Sequence, residues 1–175
     1  MLIIPPDFSD LLKCLNSARV HYLVVGGYAV NFHGYHRSTK DIDVWIAVDP
    51  KNAKKVSKAL QEFGFEPEAV PPTLFVEEGR IFAFGREPFR VDILTAPSGV
   101  NFKDCYAKRV GFRVGDVIIP FIALDDLKAN KRASGRTRDM ADLQNLPLKP
   151  LVPTKSTKRT DPKKSKKPKK LKRRK

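Results

Sequence analysis

The segment 21–46 constrains the fold of this chain more than any other part of its 175 residues. An apolar run ends in Gly26 and Gly27, helix-compatible residues follow, and a second apolar run begins with Asp41 and Asp43 on either side of an isoleucine. This order predicts a strand, a tight turn, a short helix and a return loop into a second strand. The glycines and the aspartates then meet at neighbouring strand ends.

The two aspartates suggest a metal site. Asp41 and Asp43 are two positions apart on a predicted strand, so their carboxylates project from the same face while Ile42 turns into the core. Like charges side by side repel unless a cation lies between them. Mg²⁺ is typical of such sites, because it binds carboxylate oxygens and keeps positions open for water and phosphate. A solvated strand edge is the alternative explanation of the pair taken alone.

The diglycine suggests a phosphate site. Without side chains, Gly26 and Gly27 let backbone amides approach a phosphate closely, and the helix that follows adds partial positive charge. An ordinary turn would also explain two glycines after a strand. A phosphate cradle and a carboxylate pair in one short unit together indicate phosphoryl or nucleotidyl transfer.

The segments VVGGYAV and GYHRSTKDIDVWI resemble the signature of the DNA polymerase beta-like nucleotidyltransferase superfamily, which is Gly-Gly or Gly-Ser, a helix and Asp-x-Asp. The fuller pattern is similar to small bacterial abortive-infection toxin nucleotidyltransferases, over roughly residues 8–146. The stretch 130–143, with its Asn-Lys, Gly-Arg and Asp-x-x-Asp, resembles the closing motif of that group. The resemblance implies metal-dependent transfer of a nucleoside monophosphate from a nucleoside triphosphate to a hydroxyl, with two Mg²⁺ ions.

The resemblance also implies a third carboxylate on a later strand, and Asp92 in the run FRVDIL fits that place. Asp41, Asp43 and Asp92 are then the expected metal ligands and catalytic residues. An ion pair with Arg90 is an alternative role for Asp92. The residues expected to contact the nucleotide are Gly26, Gly27, Arg37, Ser38 and Lys131.

These nucleotide contacts rest on different grounds. Gly27 lacks the hydroxyl that a serine brings to this motif in some relatives, so backbone amides would replace it. Arg37 and Ser38 belong to the loop that immediately precedes the aspartates, and a guanidinium can bind a phosphate with two hydrogen bonds. Lys131 follows from the closing motif alone. Each of these residues also has a structural alternative. Arg37 could be a surface charge on a loop, and Lys131 could belong to a solvated helix face. In the closing motif, Arg136 could form an ion-pair network with Asp139 and Asp142.

The net charge of +15 is concentrated at one end of the chain. Residues 151–175 contain thirteen Lys and Arg and one Asp, so twelve of the fifteen net positive charges lie there. We expect a nucleotidyltransferase-like domain over 1–149 and a disordered Lys-rich tail over 150–175, because the tail has too few apolar residues to bury. The tail is either solubilising or attracted to nucleic acid, and without aromatic residues any such binding would be unselective.

The acceptor and the partners are less constrained. RNA such as a tRNA 3′ end, a protein hydroxyl or a small molecule are candidate acceptors, and the basic tail favours RNA. A cognate antitoxin or toxin partner follows from the resemblance only. The alternative function is a non-catalytic module of this fold that binds RNA or a partner protein, although three clustered carboxylates have no purpose in an inert module.

Other features indicate a cytoplasmic protein with no membrane segment. No run approaches the roughly 18 apolar residues that span a bilayer, and residues 1–6 do not resemble a signal peptide. Cys14 and Cys105 are isolated thiols without metal-site spacing, as expected in a reducing compartment.

The periodicity predicts an α+β fold, with a small mixed sheet flanked by helices. Asp7 or Ser9 is expected to cap the first helix, Pro50 to begin a helix that ends at Gly64, and Gly115 with Asp116 to join a hairpin. Helices are expected over 8–18, 28–34, 50–63, 101–109, 124–133 and 137–145, and strands over 21–25, 42–48, 80–84, 89–94, 112–114 and 117–119.

Overall fold

The computed structural model describes residues 2–86 and 89–150. Its six helices are α1 (Pro6–Ser17), α2 (Gly26–Phe32), α3 (Pro50–Phe63), α4 (Phe102–Ala107), α5 (Leu124–Ser134) and α6 (Thr137–Asn145). Its six strands are β1 (Tyr22–Val25), β2 (Asp41–Ile46), β3 (Ile81–Arg86), β4 (Phe89–Leu94), β5 (Val110–Val114) and β6 (Val117–Phe121). Two short 3₁₀ helices, Pro67–Ala69 and Pro72–Phe75, follow α3. The α+β class expected from the sequence is confirmed.

Local signals account for α3 and for the hairpin. Asp49 accepts a hydrogen bond from the backbone N–H of Asn52 at 2.9 Å, Pro50 occupies the first turn, and the helix ends at Gly64 with φ of +120°. Gly115 has φ of +57° in the turn that joins β5 to β6. These features confirm the sequence prediction for both elements.

The start of α1 differs from the prediction. The helix begins at Pro6, Pro5 is its cap residue, and no side chain caps its first turn. The expected cap by Asp7 or Ser9 was therefore wrong. Proline at the first helical position needs no N–H partner and has a φ already suited to the helix, so the helix begins earlier without a polar cap.

The six strands form one mixed sheet in the order β3-β4-β2-β1-β6-β5. In the middle, β1 and β2 are antiparallel, whereas β2 is parallel to β4 and β1 is parallel to β6. The outer strands β3 and β5 close antiparallel hairpins with β4 and β6. Because β2 and β4 run in the same direction, their N-terminal ends lie at the same edge of the sheet.

One face of the sheet is packed against α1 and α3. Ile42 of β2 is fully buried, and its register partner on β4 is Val91. Val91 shares a groove with Phe8 of α1 and Phe63 of α3, which places these two helices on that face. The alternation along β2 then directs its odd-numbered residues to the opposite face.

The opposite face is covered only in part. Trp45 is buried there against the Phe102 ring of α4, with ring centroids 5.1 Å apart, and its Nε1 donates to the Thr95 carbonyl. Asp41 and Asp43 lie on the same side of β2 but are exposed and half-buried, respectively. The uncovered part of this face is where a site can form.

Two further predictions bear on the chain as a whole. None of the helices within 2–86 and 89–150 combines the length and the apolar character needed to cross a membrane. Residues 151–175, which hold nearly all of the predicted disordered tail, lie outside the described residues.

Candidate active site

Three carboxylates lie together at the open part of the sheet. Asp41 and Asp43 project from the same face of β2, and Asp43 is the direct register partner of Asp92 on β4. Arg90 donates from Nε to Asp92 Oδ1 at 2.7 Å, so the alternative role considered for Asp92 is realised here. The sheet register therefore brings the three predicted carboxylates into one cluster.

Within this cluster, Asp43 interacts electrostatically with both of the other carboxylates. Burial raises its pKa to about 6, and the negative charges of Asp92 and Asp41 contribute to the rise. Lys131 and a hydrogen bond from the backbone N–H of Gly27 oppose the rise without cancelling it. The negative charge of the cluster is thus only partly compensated by the protein.

The diglycine turn packs directly against the carboxylates. Gly26 has φ of +60°, and a Cβ placed on it would lie 1.9 Å from Asp43 Oδ2. Both the backbone angle and the contact exclude a side chain at this position. At Gly27 a Cβ would lie 2.4 Å from Thr39 Oγ1 and 2.9 Å from Thr39 Cβ. The turn therefore fits closely between β2 and the loop that precedes it.

The close contact between Gly27 and Thr39 predicts that substitutions at these two positions have coupled effects on nucleotide binding. In Gly27→Ala the new Cβ must displace Thr39 and with it the wall of the site, so we expect nucleotide affinity to fall about tenfold or more while the protein stays folded. The double variant Gly27→Ala, Thr39→Gly removes the obstructing atoms and should recover most of that loss. Nucleotide titration and thermal unfolding of both variants measure the effect.

A different result would assign Gly27 another role. If the Gly27→Ala protein were unfolded and adding Thr39→Gly did not restore folding, Gly27 would be needed only for the conformation of the turn. Thr39→Gly by itself is the control, since it reports any contribution of the Thr39 hydroxyl to binding.

A cleft of about 350 Å³ opens above the carboxylates. Of the eight residues expected from the sequence, seven line it, and Ser38 does not, although its neighbour Thr39 does. The backbone carbonyl of Ser38 instead accepts hydrogen bonds from Arg37 and from Arg138, at 3.3 and 2.9 Å. The cleft is also lined by residues that the sequence did not assign to the site, among them Thr39, Arg80, Ile81, Leu94, Asn130, Ser134, Arg136 and Arg138.

Arg37 and Lys131 both line the cleft, and both belong to a buried ion-pair network. Arg37 binds Asp142 with two hydrogen bonds, from Nε at 2.6 Å and from Nη2 at 2.9 Å. Lys131 contacts Asp139 and lies 3.0 Å from Asp142. The Asp142 side chain is only 1% exposed, so this network is part of the interior. We call these four residues the α6 network.

The sequence had indicated such a network but with a different cation. One sequence-based alternative pairs Asp139 and Asp142 with Arg136, whereas the structure pairs them with Lys131 and Arg37. Arg37 lies 105 positions from Asp142, and no local pattern connects residues so far apart.

The carboxylates have the donor chemistry that a hard divalent cation requires. Asp41, Asp43 and Asp92 come from two paired strands and line one cleft, with negative charge in excess. Within the described part of the chain, however, no three acidic, histidine or cysteine side chains already form a metal-binding group. The hydrogen bond from Arg90 to Asp92 is consistent with this, because it engages one of the three carboxylates.

Comparisons with known proteins identify a family and a fold. The model of a family described as "Nucleotidyltransferase of unknown function (DUF6036)" matches residues 7–155. No curated protein matches the chain. Among solved structures, a candidate nucleotidyltransferase from Thermotoga maritima, TM1012, has a TM-score of 0.53 at 14% identity, covering 81% of this chain and 93% of its own. The lincomycin-bound lincosamide antibiotic adenylyltransferase LnuA has a TM-score of 0.50 at 17% identity, covering 83% and 98%. At these identities, both likenesses show the fold.

Proposed function

Because the chain belongs to this family of nucleotidyltransferases, we propose that its cleft transfers a nucleoside monophosphate from a nucleoside triphosphate to a hydroxyl acceptor, with Mg²⁺ as the metal. The observation that carries this proposal is the register pairing of Asp43 with Asp92, with Asp41 on the same face and the diglycine turn in contact with Asp43. Asp41, Asp43 and Asp92 are the proposed catalytic residues.

In the proposed reaction, the acceptor oxygen attacks the α-phosphorus, the bond between the α- and β-phosphates breaks, and pyrophosphate leaves. Asp41, Asp43 and Asp92 would hold two Mg²⁺ ions, which when bound neutralise phosphate charge and favour ionisation of the attacking hydroxyl. Asp92, on the neighbouring strand β4, is the carboxylate proposed to lie on the acceptor side and to take the proton of the acceptor hydroxyl. Gly26 and Gly27, which line the cleft beside Asp43, are the proposed backbone contacts to the phosphates.

The reaction is tested by incubating the full chain with each of the four labelled triphosphates, Mg²⁺ and either bulk RNA or a cell lysate. We expect one triphosphate to label an acceptor in an amount that depends on the metal. If none of the four labels any RNA, protein or small molecule, while the protein binds RNA or another protein without turnover, the non-catalytic module becomes the better description.

RNA is the proposed acceptor, and the support for it is the charge of residues 151–175. A cytoplasmic location and an antitoxin or toxin partner remain predictions from the sequence. LnuA is named for an antibiotic substrate, so a small-molecule acceptor is the second candidate and is distinguished by the labelling experiment.

The RNA proposal predicts a specific effect of deleting residues 151–175. The deletion removes twelve net positive charges, so we expect weaker RNA binding and a shallower dependence of the affinity on salt. The melting temperature and nucleotide binding should be unchanged, because the sequence predicts no core residues in the tail. Binding at several salt concentrations, with and without the tail, measures both quantities. Equal affinity and equal salt dependence would remove the support for RNA.

A further inference from the structure

The cations of the cleft fall into two groups according to their partners. Arg37 and Lys131 are bound to carboxylates of the α6 network, and Arg80 is bound to Glu77 at 2.6 Å. Within the described residues, the guanidinium groups of Arg136 and Arg138 have no carboxylate partner. Among the described residues that line the cleft, Arg136 and Arg138 therefore carry the positive charge that no carboxylate compensates.

The α6 network is already neutral. Its two cations, Arg37 and Lys131, face two carboxylates, and Asp142 accepts hydrogen bonds from both cations. Transferring either cation to a ligand would leave the two buried carboxylates with a single cation between them, and an uncompensated buried charge costs several kcal/mol. These residues are thus better suited to shape the wall of the cleft than to bind an incoming anion.

Arg138 is positioned close to the carboxylate end of the cleft. Its Nη2 donates to the Ser38 carbonyl at 2.9 Å, in the loop that leads directly into Asp41. Arg136 lies two positions earlier, lines the same cleft, and is exposed. Both side chains can therefore reach a ligand without breaking an ion pair within the described residues.

A nucleoside triphosphate brings about four negative charges into this cleft at neutral pH, and metal ions offset only part of them. Guanidinium groups bind phosphate oxygens with two parallel hydrogen bonds, which gives them an advantage over ammonium groups for this purpose. Positive charge that stabilises the departing pyrophosphate must also come from groups that are not already neutralised.

We propose that Arg136 and Arg138 bind the β- and γ-phosphates of the triphosphate and the pyrophosphate that leaves, while Arg37 and Lys131 act as positioning residues. This inference rests on the proposed function for the identity of the anion. The choice of Arg136 and Arg138 does not depend on that function, because it follows from the distribution of ion pairs in the cleft.

Pyrophosphate with Mg²⁺ is the probe, because it requires neither the correct base nor the acceptor. Isothermal titration of the full chain at high salt, which screens binding by the basic tail, should give a Kd that rises about tenfold in Arg136→Gln and in Arg138→Gln. The two changes together should raise it by about 100-fold. The melting temperatures should stay close to that of the unchanged protein, because neither guanidinium takes part in a buried ion pair with another described residue.

Arg132→Gln is the matched control. Arg132 is an exposed arginine of α5, four positions from Arg136, and does not line the cleft. Its replacement removes the same charge and should leave the pyrophosphate affinity within about twofold of the unchanged protein. An equal loss in Arg132→Gln would mean that net charge alone attracts the anion, which would overturn the inference.

The inference and the proposed function fail in different ways. If the unchanged protein transfers nucleotide but Arg136→Gln and Arg138→Gln bind pyrophosphate normally, the function stands and the assignment of these arginines is wrong. If the two variants lose pyrophosphate binding but no triphosphate is turned over, the anion site stands and the proposed function is wrong. No pyrophosphate binding by the unchanged protein would overturn the assignment directly.

Discussion

Asp41→Asn and Asp43→Asn are expected to lower nucleotidyl transfer on the order of 1,000-fold while leaving the protein folded. Both carboxylates lie on the open face of β2, where they are proposed to hold the metal ions that offset phosphate charge. Asparagine keeps the shape of aspartate but offers a neutral, weaker ligand to a hard cation. Steady-state transfer of labelled nucleotide and calorimetric titration with Mg²⁺ and a non-hydrolysable triphosphate measure the loss.

Asp43→Asn should also stabilise the metal-free protein. The pKa of Asp43 is about 6 in the folded state against an ordinary value of 3.8, so the folded protein holds this proton more tightly. Ionised Asp43 therefore costs stability at pH 7, and the cost disappears as the pH falls through 6 towards 4. The free energy of unfolding of the variant should exceed that of the unchanged protein by about 1–3 kcal/mol at pH 7, and the difference should close near pH 4. Urea unfolding in EDTA at both pH values measures it.

Asp125→Asn is the control for both measurements, because Asp125 is exposed on α5 and does not line the cleft. It should leave transfer unchanged. Unaltered transfer and ligand binding in the Asp41, Asp43 double variant would exclude these residues from the site.

Asp142→Asn is expected to destabilise the protein by about 3–5 kcal/mol. Asp142 is the most buried member of the α6 network, and it accepts hydrogen bonds from both Arg37 and Lys131. Burial by itself would raise its pKa, but the hydrogen bonds from Arg37 and Lys131 outweigh burial and hold the pKa below the ordinary 3.8. Its contribution to stability is therefore present at neutral pH and is lost as the pH falls below that value. Equilibrium unfolding in urea measures the change.

A double variant separates charge from packing. Arg37→Met combined with Asp142→Asn removes one buried charge of each sign, so it should regain part of the stability lost in Asp142→Asn. Asp116→Asn, at an exposed hairpin turn, is the control and should change the free energy of unfolding by less than about 0.5 kcal/mol. If Asp142→Asn behaved like Asp116→Asn, the α6 network would not be a stabilising element.

Much of the local structure could be predicted because it depends on neighbouring residues. Asp49, Pro50 and Gly64 define the ends of α3 by capping and backbone preference, and both effects act within a single turn. Gly115 supplies the positive φ that the hairpin turn needs. Pro6 shows the limit of such rules, because two signals competed for the start of α1 and the proline prevailed over the polar caps.

The carboxylate site could be predicted only in part. The common direction of Asp41 and Asp43 follows from the two-residue period of a strand, which the sequence displays. The position of Asp92 opposite Asp43 depends on β4 pairing with β2 in one register, and a shift of one residue would turn Asp92 to the other face. The family resemblance suggested Asp92, but the register was decided by packing of the sheet against α1 and α3.

By itself, the sequence determined the main helices and strands, the paired aspartates, the diglycine turn and the basic end of the chain, because each depends on residues that are close together in the sequence. The tertiary structure alone decided which cations of the cleft are neutralised. Arg37 meets Asp142 across 105 positions, and Lys131 meets Asp139 and Asp142 where α5 packs on α6. Such pairings depend on sheet order and helix packing, which no local periodicity specifies, and they leave Arg136 and Arg138 as the uncompensated charges of the described site.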